Sequence, residues 1–156
     1  MVKTRWLNDE EEQTWRALQL MQMRLSAELA RQLADDSNLS YPDYIVLVAL
    51  SAQPSGRTRI LELAKLIGWE KSRLSHHVGR MEQRRLIVRE KCDSDRRGAF
   101  VAITAQGRHD LEKASPGHVD AVRRLFIDHL TSEQLAVIRH VSEATLARLE
   151  IPSSLL

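Results

Sequence analysis

The sequence predicts a mainly α-helical protein with one small β-hairpin, an α+β fold class. Along most of the chain, apolar residues recur at steps of three and four, which is the period of a helix with one buried face. Between residues 86 and 104 this period gives way to two short runs of β-forming residues around a polar turn. Basic residues are concentrated in and around this central region, so a charged surface is expected there.

The composition is that of a single globular domain. The chain has 156 residues, of which 43% are hydrophobic and 28% are charged, enough for a core and for additional oligomerisation helices. The sequence has no apolar run long enough to span a membrane and no signal-peptide pattern near its start. Its single cysteine, Cys92, excludes an internal disulfide and a cysteine zinc cluster. We therefore expect a cytoplasmic protein without a membrane partner.

The charge is distributed unevenly along the chain. Residues 57–108 contain 13 lysines and arginines against 6 acidic residues, a net charge of +7, whereas the rest of the chain carries −5, for a total of +2. A basic centre between acidic arms is suited to a protein that attracts nucleic-acid phosphates with one region only.

The first predicted helix, at residues 9–34, is apolar on two faces. One stripe consists of Leu18, Met21, Leu25, Leu29 and Leu33, and the second of Leu20, Met23, Ala27, Ala30 and Ala34. Because each apolar face needs a partner, we expect one face to pack on its own domain and the other on a second subunit. A similar stripe follows Thr131, so residues 9–34 and 105–150 are predicted to provide dimerisation helices.

The central region, residues 40–104, combines helices with the hairpin. Its predicted elements are helices at 40–50, Ile60–Ile67 and 70–84 and strands at 86–91 and 99–104. Ser40 and Asp43 have the spacing of a capping box, and Gly68 is placed to end the short helix. Thr104 is a predicted N-cap for a helix that continues to about residue 130, and Pro116 is expected to end or kink that helix.

A helix–turn–helix followed by a basic hairpin is the winged helix-turn-helix arrangement, in which one helix enters the major groove of DNA. In the helix at 70–84, apolar Leu74, Val78 and Met81 are expected to face the core. The opposite face carries donors suited to phosphates and base edges: Lys71, Ser72, Arg73, Ser75, His76 and Arg80. No acidic residue lies between Lys71 and Met81, so DNA contact is favoured over an ordinary solvated face.

The segment LAKLIGWEKSRLSHHVGRMEQRRLIVRE, followed by DRRGAFVAITAQG, resembles the multiple-antibiotic-resistance regulator (MarR) family of winged helix-turn-helix transcriptional regulators. The hairpin that ends in Thr104, with Gly107 after it, is the more specific part of the resemblance. The similarity covers most of the chain and implies one domain over residues 1–156. It implies a homodimer on a pseudo-palindromic double-stranded DNA operator, acting as a repressor that a small-molecule effector releases, with no cofactor and no enzymatic activity.

The resemblance also implies roles for individual residues of the hairpin. Arg97 stands where family members carry an arginine that enters the minor groove, and Asp95 stands where an acid orients that arginine. Arg96 is then an expected phosphate contact. Two positions depart from the family pattern. Arg85 replaces a frequent glycine, so either another cap ends the helix or Arg85 adopts left-handed geometry. His77 replaces a frequent apolar residue and, beside Trp69, makes the recognition helix partly polar and aromatic.

Members of the family bind phenolic and other small anions between the dimer arms and the DNA-binding region. Trp15, Tyr44 and Trp69 are candidate residues for such an effector pocket, and core packing explains them equally well. The six histidines are scattered without the spacing of metal ligands, so no metal site is predicted. His118 and His129 are expected on helix surfaces or at the dimer interface.

Two alternative functions are weighed against DNA-dependent regulation. A winged-helix protein-interaction module would favour an acidic or apolar face on the helix at 70–84, whereas this face is basic. A redox-responsive regulator could use Cys92, whose neighbour Lys91 would favour the thiolate, although an inert cysteine accounts for this position too. An enzyme is disfavoured because the sequence has no phosphate-binding glycine loop, zinc-protease motif or nucleophile elbow.

Overall fold

The computed structural model describes residues 4–91 and 99–149, and of Lys91 only the backbone. Its elements in chain order are α1 (Asp9–Asp36), α2 (Tyr41–Ser51), β1 (Arg57–Arg59), α3 (Ile60–Ile67), α4 (Lys71–Gln83), β2 (Ile87–Lys91), β3 (Ala99–Ile103), α5 (Ala105–Leu125) and α6 (Ser132–Arg148), with a 3₁₀ turn at Ile127–His129. This order confirms the predicted fold class, a mainly helical winged helix-turn-helix with a small sheet.

The helix ends follow the local signals of the sequence. The Ser40 side chain accepts a hydrogen bond from the backbone N–H of Asp43, and the Asp43 carboxylate accepts one from the backbone N–H of Ser40, which completes the predicted capping box. Gly68 ends α3 in the left-handed conformation, with a φ of 68°. Thr104 caps α5 by accepting a hydrogen bond from the backbone N–H of Gly107.

The sheet has one strand more than the sequence predicts. Strand β3 lies in the centre of an antiparallel sheet of order β1-β3-β2, with Ile87 opposite Ile103 and Thr58 opposite Val101. Strand β1 escapes prediction because it comprises only Arg57–Arg59, which shows no apolar alternation. Its strand character comes from pairing with β3, which only the folded chain provides.

One apolar core joins α2, α3, α4 and the sheet. Its fully buried side chains include Val46, Leu47, Leu50, Leu63, Leu74, Val78, Met81, Leu86, Ile87 and Val101. Leu74, Val78 and Met81 are the inward-facing residues predicted for α4, so its opposite face is directed outward. The core therefore determines which side chains of α4 reach solvent.

Helix α5 continues through Pro116, so this residue does not end it, and the helix stops at Leu125 before the predicted end near residue 130. Proline removes one backbone hydrogen bond from the helix. The buried residues Ala114, His118 and Ala121 on both sides of it keep the segment packed as a helix. A Cβ on Gly117 would lie 3.1 Å from Nε2 of Gln32 on α1, a close contact that a small shift of this flexible side chain relieves.

The two helices predicted for dimerisation leave apolar surface exposed in the single chain. In α1 only Leu29 and Leu33 are buried, and in α6 no residue is buried. The exposed apolar side chains of these helices include Trp15, Leu18, Leu20, Met21 and Met23 on α1 and Val137, Ile138 and Val141 on α6. No helix in the described ranges is long and apolar enough to cross a membrane.

Arg85 adopts the left-handed conformation, with a φ of 61°, as expected if the helix ends at that point. Its backbone N–H donates to the carbonyl of Glu82 at 2.9 Å, and the N–H of Leu86 donates to the carbonyl of Met81 at 3.0 Å. The chain thereby closes α4 and turns directly into β2. A side chain in this region costs about 1 kcal/mol compared with glycine.

We predict that Arg85→Gly raises the free energy of unfolding by up to about 1 kcal/mol, because glycine removes the left-handed strain while adding freedom to the unfolded chain. Urea denaturation at a fixed protein concentration measures this change. Arg85→Ala is the matched control, since it removes the same side chain but keeps the Cβ. If alanine stabilised the protein as much as glycine, the effect would belong to the arginine side chain and not to the backbone.

Candidate nucleic-acid interface

The outward face of α4 presents the residues that the sequence singles out. Lys71, Ser72, Arg73, His76 and Arg80 are exposed, and Ser75 is half-buried. The opposite side of the helix is formed by the buried residues Leu74, His77, Val78 and Met81. Six predicted DNA contacts therefore lie on the surface of one rigid helix, as recognition of base edges in a groove requires.

Four of these six residues line one open cleft. Ser72, Arg73, His76 and Arg80 border a space of about 900 Å³ between α4 and the start of α2. Trp69, His77, Arg84 and Ser40 also border it. The cleft combines guanidinium groups with neutral donors, which suits a phosphate or the acceptor edge of a base. Lys71 and Ser75 do not border this cleft.

Trp69 links the cleft to the core. The guanidinium of Arg73 lies over its ring, 4.2 Å from the centroid. The ring of His77 meets it edge-on, with centroids 5.5 Å apart. Stacking on an aromatic face restricts the positions open to an arginine side chain. Arg73 is therefore held beside the cleft by Trp69, and the predicted pairing of Trp69 with His77 is confirmed.

Beneath the cleft lies the buried carboxylate of Asp43, of which 1% is exposed. Its Oδ2 accepts hydrogen bonds from Nη1 of Arg84 at 2.6 Å and from the backbone N–H of Ser40 at 3.0 Å. Arg84 also donates to the carbonyl of Asn38. Burial alone would raise the pKa of Asp43, but the hydrogen bonds from Arg84 and Ser40 lower it below the ordinary value. The carboxylate thus joins the start of α2 to the end of α4.

The buried ring of His77 lies against the carboxylate of Asp43. It is 7% exposed, and its Nε2 is 3.0 Å from Oδ1 of Asp43, though not in line for a hydrogen bond. Its Nδ1 is 3.0 Å from Nη2 of Arg80. Burial lowers the pKa of His77, Asp43 raises it, and Arg80 and Arg84 lower it again, so the ring is neutral at neutral pH. His77 gives α4 its polar and aromatic character from the inner side of the helix.

Arg89 on β2 is a functional candidate that the sequence analysis missed. Its Nη2 donates to the carbonyl of Ser75 at 2.6 Å, and its backbone N–H donates to the Glu82 carboxylate at 2.9 Å. Gly79 makes this crossing feasible, because a Cβ there would lie 3.3 Å from the same Nη2. The base of the hairpin is therefore attached to the middle of α4. The glycine inside a helix was the only sequence signal of this close approach.

A second missed group lies on the sheet. Arg57 and Arg59 both approach the ring of Phe100, at 5.1 Å and 5.6 Å from its centroid. Arg57 also forms an ion pair with Glu90 at 2.8 Å. These residues extend the basic surface from α4 across the base of the hairpin. The hairpin tip itself, with Cys92, Asp95, Arg96 and Arg97, lies outside the described residues, so those four assignments stay predictions.

Within the described residues of the single chain, the three candidate effector residues do not line one common cavity, and their grouping in an effector pocket stays a prediction. Trp15 is 53% exposed on α1, while Trp69 borders the cleft beside α4. Tyr44 lines a different cavity, of about 340 Å³. Trp15 lies on α1, Tyr44 on α2 and Trp69 in the turn between α3 and α4, and nothing in their local sequence indicates this separation.

The cavity beside Tyr44 lies between α2, α3 and the middle of α5. His118 contributes to it, with ring centroids 4.3 Å from Tyr44 and 6.2 Å from Tyr41. His118 is 9% exposed, not on a helix surface as expected, and its buried Nδ1 has no hydrogen-bond partner. Burial lowers the pKa of His118. Burial also raises the pKa of Tyr41, assisted by Tyr44. The cavity thus has aromatic walls, formed in part by Tyr41, Tyr44 and His118.

Within the described ranges, no group of three or more histidine, cysteine, aspartate or glutamate residues is arranged to hold a metal ion. The unpaired ring nitrogens of His77 and His118 belong to separate sites, on α4 and α5.

A helix pair with an outward basic face and a sheet attached to its second helix defines a winged helix-turn-helix protein. A family model for the MarR family matches residues 37–98. The transcriptional regulator HosA of Escherichia coli O157:H7 is 33% identical over 98 residues, which cover 62% of this chain and 70% of HosA. The chain belongs to the MarR family of transcriptional regulators.

Two solved structures of MarR family regulators are similar to this chain over nearly its whole length. AbsC, a MarR family transcriptional regulator from Streptomyces coelicolor, has a TM-score of 0.86 and 39% identity, covering 94% of this chain and 99% of AbsC. Sco3205, a MarR family regulator from the same organism solved in complex with DNA, has a TM-score of 0.83 and 40% identity, covering 92% of each chain.

We predict that acid destabilises the protein through His118. Because burial lowers its pKa, the folded chain binds this proton more weakly than the unfolded chain does. Its contribution is therefore present above the ordinary histidine pKa and is lost as the pH falls below about 6.5. His118→Phe should keep the ring packing and reduce the loss of stability between about pH 7.5 and about pH 5.5, measured by urea denaturation.

The exposed residue His109 provides the control on the same helix, as His109→Gln. A pH profile of His118→Phe that matches the wild type and His109→Gln would contradict the assignment to His118.

Proposed function

We propose that the protein is a homodimeric repressor that binds a specific site in double-stranded DNA and that a small-molecule effector releases. One observation carries the proposal: Ser72, Arg73, His76 and Arg80 converge on an open cleft along the outward face of α4. A cationic helix face on a rigid support is suited to reading base edges while contacting phosphates. The 40% identical regulator Sco3205, solved in complex with DNA, supports this assignment.

A dimer is supported by the surfaces that the single chain leaves uncovered. The apolar side chains exposed on α1 and α6 would bury each other's surface in a twofold pair of chains. Two copies of α4 would then face the same side of the assembly. A twofold protein of this kind binds half-sites about one helical turn apart, so we expect a pseudo-palindromic operator.

The hairpin tip completes the proposed DNA contact. By resemblance to the family, Arg97 would enter the minor groove, Asp95 would orient it, and Arg96 would contact a phosphate. The attachment of Arg89 to the Ser75 carbonyl supports this arrangement, because it fixes the base of the hairpin against α4. A narrow minor groove attracts an arginine through its enhanced negative potential.

For the effector, the cavity formed by Tyr41, Tyr44 and His118 is a better candidate than the three aromatic residues proposed from the sequence. Its aromatic walls suit a small aromatic acid or phenol. Tyr44 follows Asp43 in α2, and Asp43 is bonded to Arg84 at the end of α4. A ligand that shifts α2 would therefore change the position of α4 and the spacing of the two DNA-binding helices.

The first test is selection of bound sites from a randomised duplex pool at two salt concentrations. We expect enrichment of a twofold symmetric site and an affinity that falls steeply as salt rises, because phosphate contacts release counterions. Salt-sensitive binding without enrichment would reduce the proposal to a basic patch. Absence of binding at both salt concentrations would favour a winged-helix protein-interaction module instead.

We predict different effects from the hairpin and the helix. Arg97→Ala should weaken binding to all sequences and lower the salt dependence, whereas His76→Ala should change the preferred base at one position by about 1–3 kcal/mol. Competition binding on the selected site and on single-base variants separates the two effects. Arg124→Ala, which removes the same charge from an exposed position on α5, is the control and should leave both quantities unchanged.

We further predict that an aromatic acid at millimolar concentration weakens DNA binding by the wild type through the Tyr44 cavity. Benzoate is the probe, and the readout is the apparent affinity for the selected site. His118→Phe replaces the imidazole in the wall of this cavity with an apolar ring, so its DNA affinity should respond less to benzoate. An equal response from His118→Phe and the wild type would place the benzoate effect elsewhere.

A further inference from the structure

Arg80 is the predicted DNA contact whose side chain touches a buried titratable group. It is exposed on α4 and borders the cleft, and its Nη2 lies 3.0 Å from Nδ1 of His77. The His77 ring is itself held in place, because Asp43 lies against its other nitrogen and Trp69 packs edge-on against it. His77 therefore connects the buried side chains of the core to Arg80 on the outward face of α4.

The chemistry of this contact specifies the protonation state of the ring. A guanidinium group has only donors, so Nδ1 must offer a lone pair for the contact to be favourable. The proton of neutral His77 then belongs on Nε2, which faces the Asp43 carboxylate. A second proton would occupy Nδ1 and set a positive ring against the positive guanidinium.

We propose that His77 is a positioning residue for sequence recognition: as a neutral ring it directs Arg80 into the cleft, and on protonation it releases Arg80. The inference rests on the proposed function, since it assumes that Arg80 contacts DNA. It makes discrimination between DNA sequences dependent on pH, through a side chain that does not itself line the outward face of α4.

The charged groups around His77 determine the direction of this dependence. Asp43 approaches from α2, Arg84 from the end of α4, and Arg80 lies one turn along α4 itself. Trp69 packs edge-on with the His77 ring, and the guanidinium of Arg73 lies over the Trp69 ring. Burial and the two neighbouring arginines lower the pKa of His77 against the opposing effect of Asp43, which keeps the ring neutral at neutral pH. Acid therefore breaks the contact with Arg80.

This mechanism differs from a general electrostatic effect of acid. Protonation of histidines near DNA adds positive charge and strengthens binding to any sequence. Loss of Arg80 orientation instead lowers the preference for the selected site over a scrambled one. We expect the ratio of affinities for the selected and scrambled sites to fall about three- to tenfold as the pH is lowered below the ordinary histidine pKa of about 6.5, while affinity for the scrambled site stays constant or rises. His76→Gln removes the exposed histidine of the cleft. Because His76 is itself a proposed DNA contact, this variant should lower the ratio at every pH but keep its fall with acid.

Two substitutions at His77 separate positioning from folding. In His77→Asn the amide oxygen takes the place of Nδ1 as an acceptor that cannot be protonated, so the ratio at neutral pH should be kept and its pH dependence lost. His77→Leu removes the acceptor and should lower the ratio at all pH values. Each variant is also made with Arg80→Ala, where the substitution at His77 should have no further effect on the ratio. Thermal unfolding checks that each variant is folded. If His77→Leu does not fold, His77→Asn and the pH titration of the wild type test the inference.

Equal ratios for the wild type and folded His77→Leu would overturn the inference, as would a loss that persists unchanged in the Arg80→Ala background. An unchanged pH dependence in His77→Asn would overturn it too. A wild type without any sequence preference would instead overturn the proposed function itself, and the inference with it.

Discussion

The buried carboxylate of Asp43 is the interaction on which the winged helix region depends. It caps α2 through Ser40, forms an ion pair with Arg84 and lies against His77. Removal of Arg84 would leave the Asp43 carboxylate as a buried charge without its cationic partner, so the start of α2 and the end of α4 stabilise each other. The start of α2 and both the middle and the end of α4 consequently behave as one rigid unit.

This unit explains how a short helix can present a defined surface. Thirteen residues of α4 are too few for a stable isolated helix, so its position comes from packing. Leu74, Val78 and Met81 bury its inner face, and Arg89 crosses Gly79 to reach the Ser75 carbonyl from the sheet. Helix and hairpin base thus move together, which is what simultaneous contact with two regions of a duplex requires.

The helices α1 and α6, in contrast to the winged helix region, leave most of their apolar side chains exposed. Helix α6 buries nothing within the chain and α1 buries only its last turns, whereas α5 packs on both α1 and α2. The cavity at Tyr44 and His118 lies where α5 meets the winged helix region. The apolar arms and the basic surface are therefore connected through α2, whose adjacent residues Asp43 and Tyr44 take part in the polar unit and in the cavity.

The sequence by itself determined the features that depend on near neighbours. Caps at Ser40, Gly68 and Thr104, the helical periods and the outward face of α4 all follow from residues a few positions apart, and the structure confirms them. Only the tertiary structure decided the rest: the third strand, the ion pair between Asp43 and Arg84, the inward position of His77, the burial of His118 and the separation of the three candidate effector residues. These features join residues far apart in the chain, and distant residues meet only when the core has formed, because no local pattern encodes which partner a charge or an aromatic ring will find.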